Sequence, residues 1–304
     1  MSGSIIESVL QVKQVQNVDG LHLPLFCVIR NRANKERRYM VPEHLYKFQK
    51  LNEQTLRNLK NDILYFSVPA SFNDPFDCSA LNLNAMFTDN TVIEIFRRYL
   101  HDKNIQADFQ INSIKDVPQK DVDQIYQASE KLFKERQDEL LNKRGCTCFS
   151  ANNTNILLWS HYADGHRGIC LKFDTSFEPF TKVKKVDYRL DFPSVNLVKM
   201  MFGNSDEVIE EASKPILSKY KCWDYEEEWR IFHLEPNKEY VYPVEALNSV
   251  YFGLNVNPAD LEIVCLVLQG QSKNIKFYRA LKDKSKYSLS FEEFTYTPYI
   301  AIPK

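Results

Sequence analysis

The chain has 304 residues, with 39 Lys plus Arg against 40 Asp plus Glu and a formal net charge of −1. That length holds one large domain or two small ones, and 44% hydrophobic with 26% charged residues is ordinary for a soluble globular protein. Near-neutrality argues against general adhesion to nucleic acid, and no apolar run approaches the roughly 18 residues that span a bilayer. Glycine is scarce at 8 residues, and neither GxGxxG nor GxxxxGK[ST] occurs, which argues against a Rossmann or P-loop phosphate cradle. Seven scattered cysteines include one close couple, Cys146-x-Cys148, and no CxxC pair. A disulfide framework and structural zinc are therefore not expected. The first residues lack a basic region followed by an apolar stretch, so a cytoplasmic protein with no membrane partner is expected.

Taken in order, residues 5–30 read as a β-hairpin around Asn17-Val18-Asp19-Gly20, and a basic linker, Arg30 to Arg38, follows. Residues 1–38 are thus an extension, and 39–304 a single α+β domain. Leu45-Tyr46-Lys47-Phe48 is a short strand, 54–61 a helix, and 63–68 a strand stopped by Pro69. Ser71 to Cys78 is rich in turn formers; Asn73 and Asp74 can bond nearby backbone, and Asp74 is pushed out of helix by Pro75. Residues 91–142 form a helical insertion, with one helix over 91–101 and a longer charged one over 121–142. Cys146 to Ser150 is a strand, Asn155 to Ala163 a helix introduced by Asn152-Asn153-Thr154, and Gly168 to Phe173 a returning strand. A further helix lies within 196–220.

Lys221 to Phe232 can be read two ways. Cys222, Tyr225, Trp229 and Phe232 make a helical stripe, but the aromatic content favours a strand. A strand puts Trp223, Tyr225, Trp229 and Ile231 on one face and Asp224, Glu226, Glu228 and Arg230 on the other. Strand 250–253, a helix from Pro258 and strands near 275–281 and 287–294 close the chain. The basic run over 273–286 fits a solvated edge strand better than a nucleic-acid site.

Three motif groups stand out: Phe72-Asn73-Asp74-Pro75-Phe76, Trp159-Ser160-His161-Tyr162-Ala163-Asp164-Gly165-His166-x-Gly168, and Trp223-x-Tyr225-Glu226-x-Glu228-Trp229-Arg230. Together they resemble an uncharacterised bacterial domain family found in phage-defence and toxin contexts. More distantly the layout is similar to the ADP-ribosyltransferase fold, which implies a split, mostly antiparallel sheet core with NAD in its cleft. By that resemblance Tyr46 and Lys47, Ser150 with Tyr162, and Glu226-x-Glu228 match the three strands that hold NAD. The first motif departs from the family pattern, having neither His nor Arg, and Lys47 lacks the planar fork of an arginine.

The chemistry has a physical logic of its own. Breaking the nicotinamide–ribose bond develops positive charge on the sugar, and a fixed carboxylate stabilises that charge in the transition state. Glu228 is assigned to the ribose and Glu226 to holding or deprotonating an acceptor. Tyr162, Trp159 or Phe149 can stack on nicotinamide, and Asn73 is a further candidate contact. No metal site is assigned, because His161 and His166 lie five apart and share no helical face. The expected function is an NAD-consuming toxin or effector acting on a macromolecular acceptor, with a possible antitoxin or defence-complex partner. Two other classes stay open. One is a Mg-dependent nuclease using Asp74, Glu226, Glu228 and His161 or His166; the other is a non-catalytic binding module.

Overall fold

A computed structural model describes residues 40–78, 86–102, 110–270 and 274–298. The expected hairpin over 5–30 and the linker after it lie outside the described residues. The described residues divide into two compact units, each drawn from separated stretches of the chain. Of the described residues, 40–67, 145–187 and those from 221 to 298 form the sheet unit; those from 68 to 144 and 188–220 form the helical one.

The sheet unit is built on strands β1 (His44–Gln49), β2 (Ile63–Phe66), β3 (Gly145–Ser150), β4 (Ile169–Asp174), β5 (Lys184–Lys185), β8 (Glu228–His233), β9 (Lys238–Val241), β10 (Leu247–Phe252), β11 (Lys276–Lys282) and β12 (Leu289–Phe294). Eight of them form one sheet in the order β12-β11-β10-β4-β1-β3-β8-β5, and β2 pairs with β9 in a separate ribbon. This is the mostly antiparallel core expected from the sequence; it is a single large sheet with small ribbons. The exception is β10 beside β11, which run parallel because helix α7 (Pro258–Gln269) carries the chain back between them. Helices α1 (Glu53–Lys60) and α4 (Ile156–Tyr162) also belong to this unit. Asn52 caps α1 and Asn155 caps α4, each accepting from backbone N–H groups of the first turn.

One side of the sheet carries the main core, in which Leu45, Phe149, Leu171, Phe173, Trp229 and Ile231 are buried together. A smaller aromatic cluster gathers Trp159, Cys170 and Tyr251, with Tyr46, Phe48 and Phe291 packed against it. The alternation of β1, Leu45 to one cluster and Tyr46 to the other, is the period-2 signature of a strand with both faces covered.

The helical unit holds α2 (Asp89–Asp102), α3 (Gln119–Asn142), α5 (Leu197–Phe202) and α6 (Ser205–Ser213). Val92 and Ile95, Ile125 and Leu132, and Val198 and Met201 supply its core at helical spacing. Strand β7 (Ser218–Tyr220) pairs with β6 (Asp187–Arg189). Lys219 and Asp77 form a buried ion pair at 3.4 Å.

Contrary to the strand reading of 221–232, residues Lys221–Glu226 form a 3-10 helix and the strand starts only at Glu228. Two local bonds and one from a distant residue hold the tighter turn. Lys221 pairs with Asp224 at 2.7 Å, Glu227 N donates to Asp224 O at 3.2 Å, and Asn155 Nδ2 donates to Tyr225 O at 2.9 Å. Glu227 then adopts a left-handed φ of 46°, which breaks the period before β8. Trp223 and Tyr225 therefore do not share a ribbon face with Trp229 and Ile231, nor Glu226 with Glu228.

The turn after α4 is tied to the sheet by close backbone approach. A Cβ on Gly168 would lie 2.2 Å from Gln49 O, whereas one on Gly165, at φ 60°, would meet only Arg167 at 3.8 Å. Gly168→Ala is expected to destabilise by more than about 2 kcal/mol. Gly165→Ala is expected to cost only about 1 kcal/mol of left-handed strain. Urea unfolding of the two variants checks the contrast.

Candidate functional site

Three neighbouring strands place one residue each in a lateral row. Tyr46 on β1 stands opposite Ser150 on β3, and Ser150 stands opposite Glu228 on β8. Directly opposed residues point to the same face, with Cβ atoms about 5 Å apart, so the phenol, hydroxyl and carboxylate line one strip of the sheet. Cys148 and Arg230, the next opposed pair, share that face.

Glu228 and Arg230 are 4% and 0% exposed. Arg230 grips both carboxylate oxygens, Nε to Oε1 at 2.7 Å and Nη2 to Oε2 at 2.9 Å. The i, i+2 spacing on a strand brings the two side chains to one face, and the planar guanidinium fork matches the carboxylate. Out of water each charge would be costly alone, so the pair keeps Glu228 ionised and fixed in direction.

Glu226, 3% exposed, ends the 3-10 turn and accepts a 2.7 Å hydrogen bond from the Tyr162 hydroxyl on α4. The segment 150–155 aligns the two elements. Ser150 Oγ donates to Asn152 O at 3.1 Å and accepts from Asn152 N at 3.0 Å. Ala151 N donates to Glu227 O at 3.1 Å, and Asn152 Nδ2 donates to Glu227 Oε1 at 3.2 Å. An aromatic rim adjoins Glu226: His161 meets Trp223 edge to face at 6.4 Å, and Trp223 leans on Tyr225 at 6.0 Å.

Tyr46, Ser150 and Glu228 thus share one face of β1, β3 and β8, and Tyr162 at the end of α4 meets Glu226 on the turn that precedes β8. The Tyr46 ring meets Tyr251 edge-on at 6.1 Å, and burial raises its phenol pKa, with a smaller contribution from Cys170. The other expected contacts fall elsewhere. Lys47, one residue along β1, points to the opposite face, where its ammonium bonds Thr147 Oγ1 at 2.8 Å and lies 5.3 Å from the Phe149 ring centre. A strand cannot present successive residues to one site. Burial lowers the Lys47 pKa, while Cys148, Cys146 and Glu228 oppose the shift. Trp159 is fully buried, its indole N–H donating to Asn153 O at 2.7 Å and its ring packed among Phe48, His166 and Phe291. It is a core side chain with no face left for a nicotinamide ring. Phe149 is buried in the main core as well. Asn73 is exposed and belongs to the helical unit.

The features that sequence reasoning missed are the Arg230 grip on Glu228 and the role of Asn155, which caps α4 and also holds the Tyr225 carbonyl. The Glu-x-Arg spacing was a usable signal for the first. The second depends on a bond between residues 70 apart and left no local trace.

His166 sits at a left-handed φ of 67°, its ring stacked on Trp159 at 6.2 Å and its Nε2 3.3 Å from Ser160 Oγ. Its Nδ1 is buried with no hydrogen-bond partner. Burial depresses its pKa, and the nearby Ile156 backbone partly opposes this. Among the described residues, no three His, Cys, Asp or Glu side chains gather as a metal-binding set. Of the residues in the nuclease reading, Asp74 belongs to the helical unit and Glu226, Glu228, His161 and His166 to the sheet unit.

A family model described as a protein of unknown function, DUF2971, matches residues 158–231, a span that includes both the α4 turn and the Glu226–Arg230 segment. No curated protein and no solved structure matches the chain. Among the described residues, no helix is long and apolar enough to cross a membrane.

Arg230→Met strands a buried carboxylate and is expected to cost roughly 3–5 kcal/mol. Adding Glu228→Leu is expected to recover most of that loss, as a double-mutant cycle in urea unfolding will read. For His166 the folded pKa is depressed, so the unfolded chain binds more protons on acidification. Stability should therefore fall as pH drops below about 6.5, and His166→Gln should flatten that part of the profile.

Proposed function

We propose that the protein is an NAD-consuming enzyme of the ADP-ribosyltransferase type, transferring ADP-ribose to a macromolecule or to water. The observation that carries this reading is the row Tyr46, Ser150 and Glu228 across three adjacent strands, with the Glu226–Tyr162 pair beside it. The donor set suits such a substrate. It offers a fixed carboxylate for a sugar that gains positive charge and an aromatic rim for a planar ring, while the Ser150 and Tyr162 hydroxyls are engaged by Asn152 and Glu226 and order the site. When bound, NAD supplies the activated glycosidic bond.

The residues divide the remaining work. Arg230 holds Glu228 ionised and aimed, so the carboxylate needs no reorganisation when the sugar charge develops. Tyr162 orients Glu226, which sits off the strand on the 3-10 turn and is placed to hold or deprotonate an acceptor. Stacking falls to Tyr162, His161 and Trp223, because Trp159 and Phe149 are in the core. Action as a bacterial toxin or defence effector against a macromolecular target extends the same reading.

Incubation with NAD and quantification of released nicotinamide tests it. Wild type should release nicotinamide, and Glu228→Gln, which keeps an amide oxygen for Arg230, should lower the rate roughly 100-fold or more. Tyr162→Phe, lacking one hydroxyl, should fall by about ten-fold. No release by folded wild type, or equal release by Glu228→Gln, overturns the proposal.

A further inference from the structure

A cavity of about 330 Å³ lies at the far end of the sheet from β8, lined by Pro258, Leu261, Glu262, Arg279, Phe294 and Tyr296 among others. Its charged groups are in unequal states. The Glu262 carboxylate is engaged, accepting a 2.8 Å hydrogen bond from the Tyr296 hydroxyl. Desolvation and that bond hold the Tyr296 phenol up at about 12, so it remains a donor at neutral pH. Tyr296 is itself fixed through its carbonyl, which accepts from Gln269 Nε2 at 2.9 Å.

Arg279 is different. Glu292 stands directly across from it on β12, yet among the described residues no carboxylate lies within ion-pair distance of the guanidinium. Instead the guanidinium lies over the Phe294 ring, 5.0 Å from its centre. Stacking of this kind fixes the cation while leaving its in-plane N–H donors open. Those donors form a fork suited to a carboxylate or a phosphate. Leu261 and Phe294 supply apolar walls, and the N-terminus of α7, at Pro258, adds a partial positive charge to the rim.

We infer that this cavity is a binding site for a small organic anion, a carboxylate or phosphate monoester on an aromatic or apolar body, with Arg279 as its anion-binding residue. The site is separate from the Tyr46–Ser150–Glu228 row and does not depend on the NAD reading. Its capacity suits a ligand of fragment size.

Calorimetric titration of the full chain with benzoate, phenyl phosphate and benzamide tests the assignment. One or both anions should bind, and the two arms distinguish carboxylate from phosphate; benzamide should bind at least ten-fold more weakly, on the order expected for losing one charge-assisted contact. Arg279→Met, at an exposed position, should weaken anion binding roughly ten- to hundred-fold with unfolding unchanged. Glu262→Gln removes the repulsive charge from the lining itself, leaving Glu292 across from Arg279, and should tighten it. Equal binding of benzamide, binding indifferent to Arg279→Met, weaker binding in Glu262→Gln, or no binding of either anion would each overturn the inference.

Discussion

Two opposite charges taken out of water on one strand set the terms for the sheet unit. Glu228 and Arg230 are tolerable in the interior only together, because each alone would forfeit its hydration without a partner. Their presence fixes the pairing of β8 with β3. A slip of one residue would turn both charges into the face where Phe149 and Trp229 are buried. The pair therefore specifies register more strongly than it adds stability, and the row from Tyr46 to Glu228 is a consequence of that register.

The same constraint explains why the two glutamates differ. Glu228 is on the strand, fixed by a guanidinium. Glu226 lies before the left-handed turn at Glu227 and is fixed by a phenol from a helix. Two carboxylates two residues apart thus acquire different electrostatic surroundings, the condition under which a pair of acids takes separate roles.

Much of the fold was legible in the sequence because it is encoded by period. The apolar spacing of 121–142 gave α3, and Asn257 before Pro258 gave the start of α7. The strands β1, β3, β4 and β10 were found from short apolar and aromatic runs. Lys221–Glu226 was not legible: its aromatic residues fit a strand, while the bonds that tighten it come from Asn155 and from the Lys221–Asp224 pair. Alternation already held the warning that Tyr46 and Lys47 cannot serve one site. The burial of Trp159 had no such warning, since a helix residue followed by polar neighbours reads equally as a wall of a cleft. Nor could the sequence reveal that each unit is assembled from separated stretches, because the crossings fall at Val68, Gly145, Tyr188 and Lys221 without glycine- or proline-rich linkers.

That interleaving has a consequence for biosynthesis. Strand β1 sits between β3 and β4, and Lys47 finds its partner Thr147 100 residues later. A ribosome makes roughly 5–20 residues per second, so β1 waits seconds with both hydrogen-bonding edges unmatched. Native contacts of such long range close slowly, and a nascent chain in this state presents open strand edges to whatever is nearby. The length of that exposed interval is set by the topology itself.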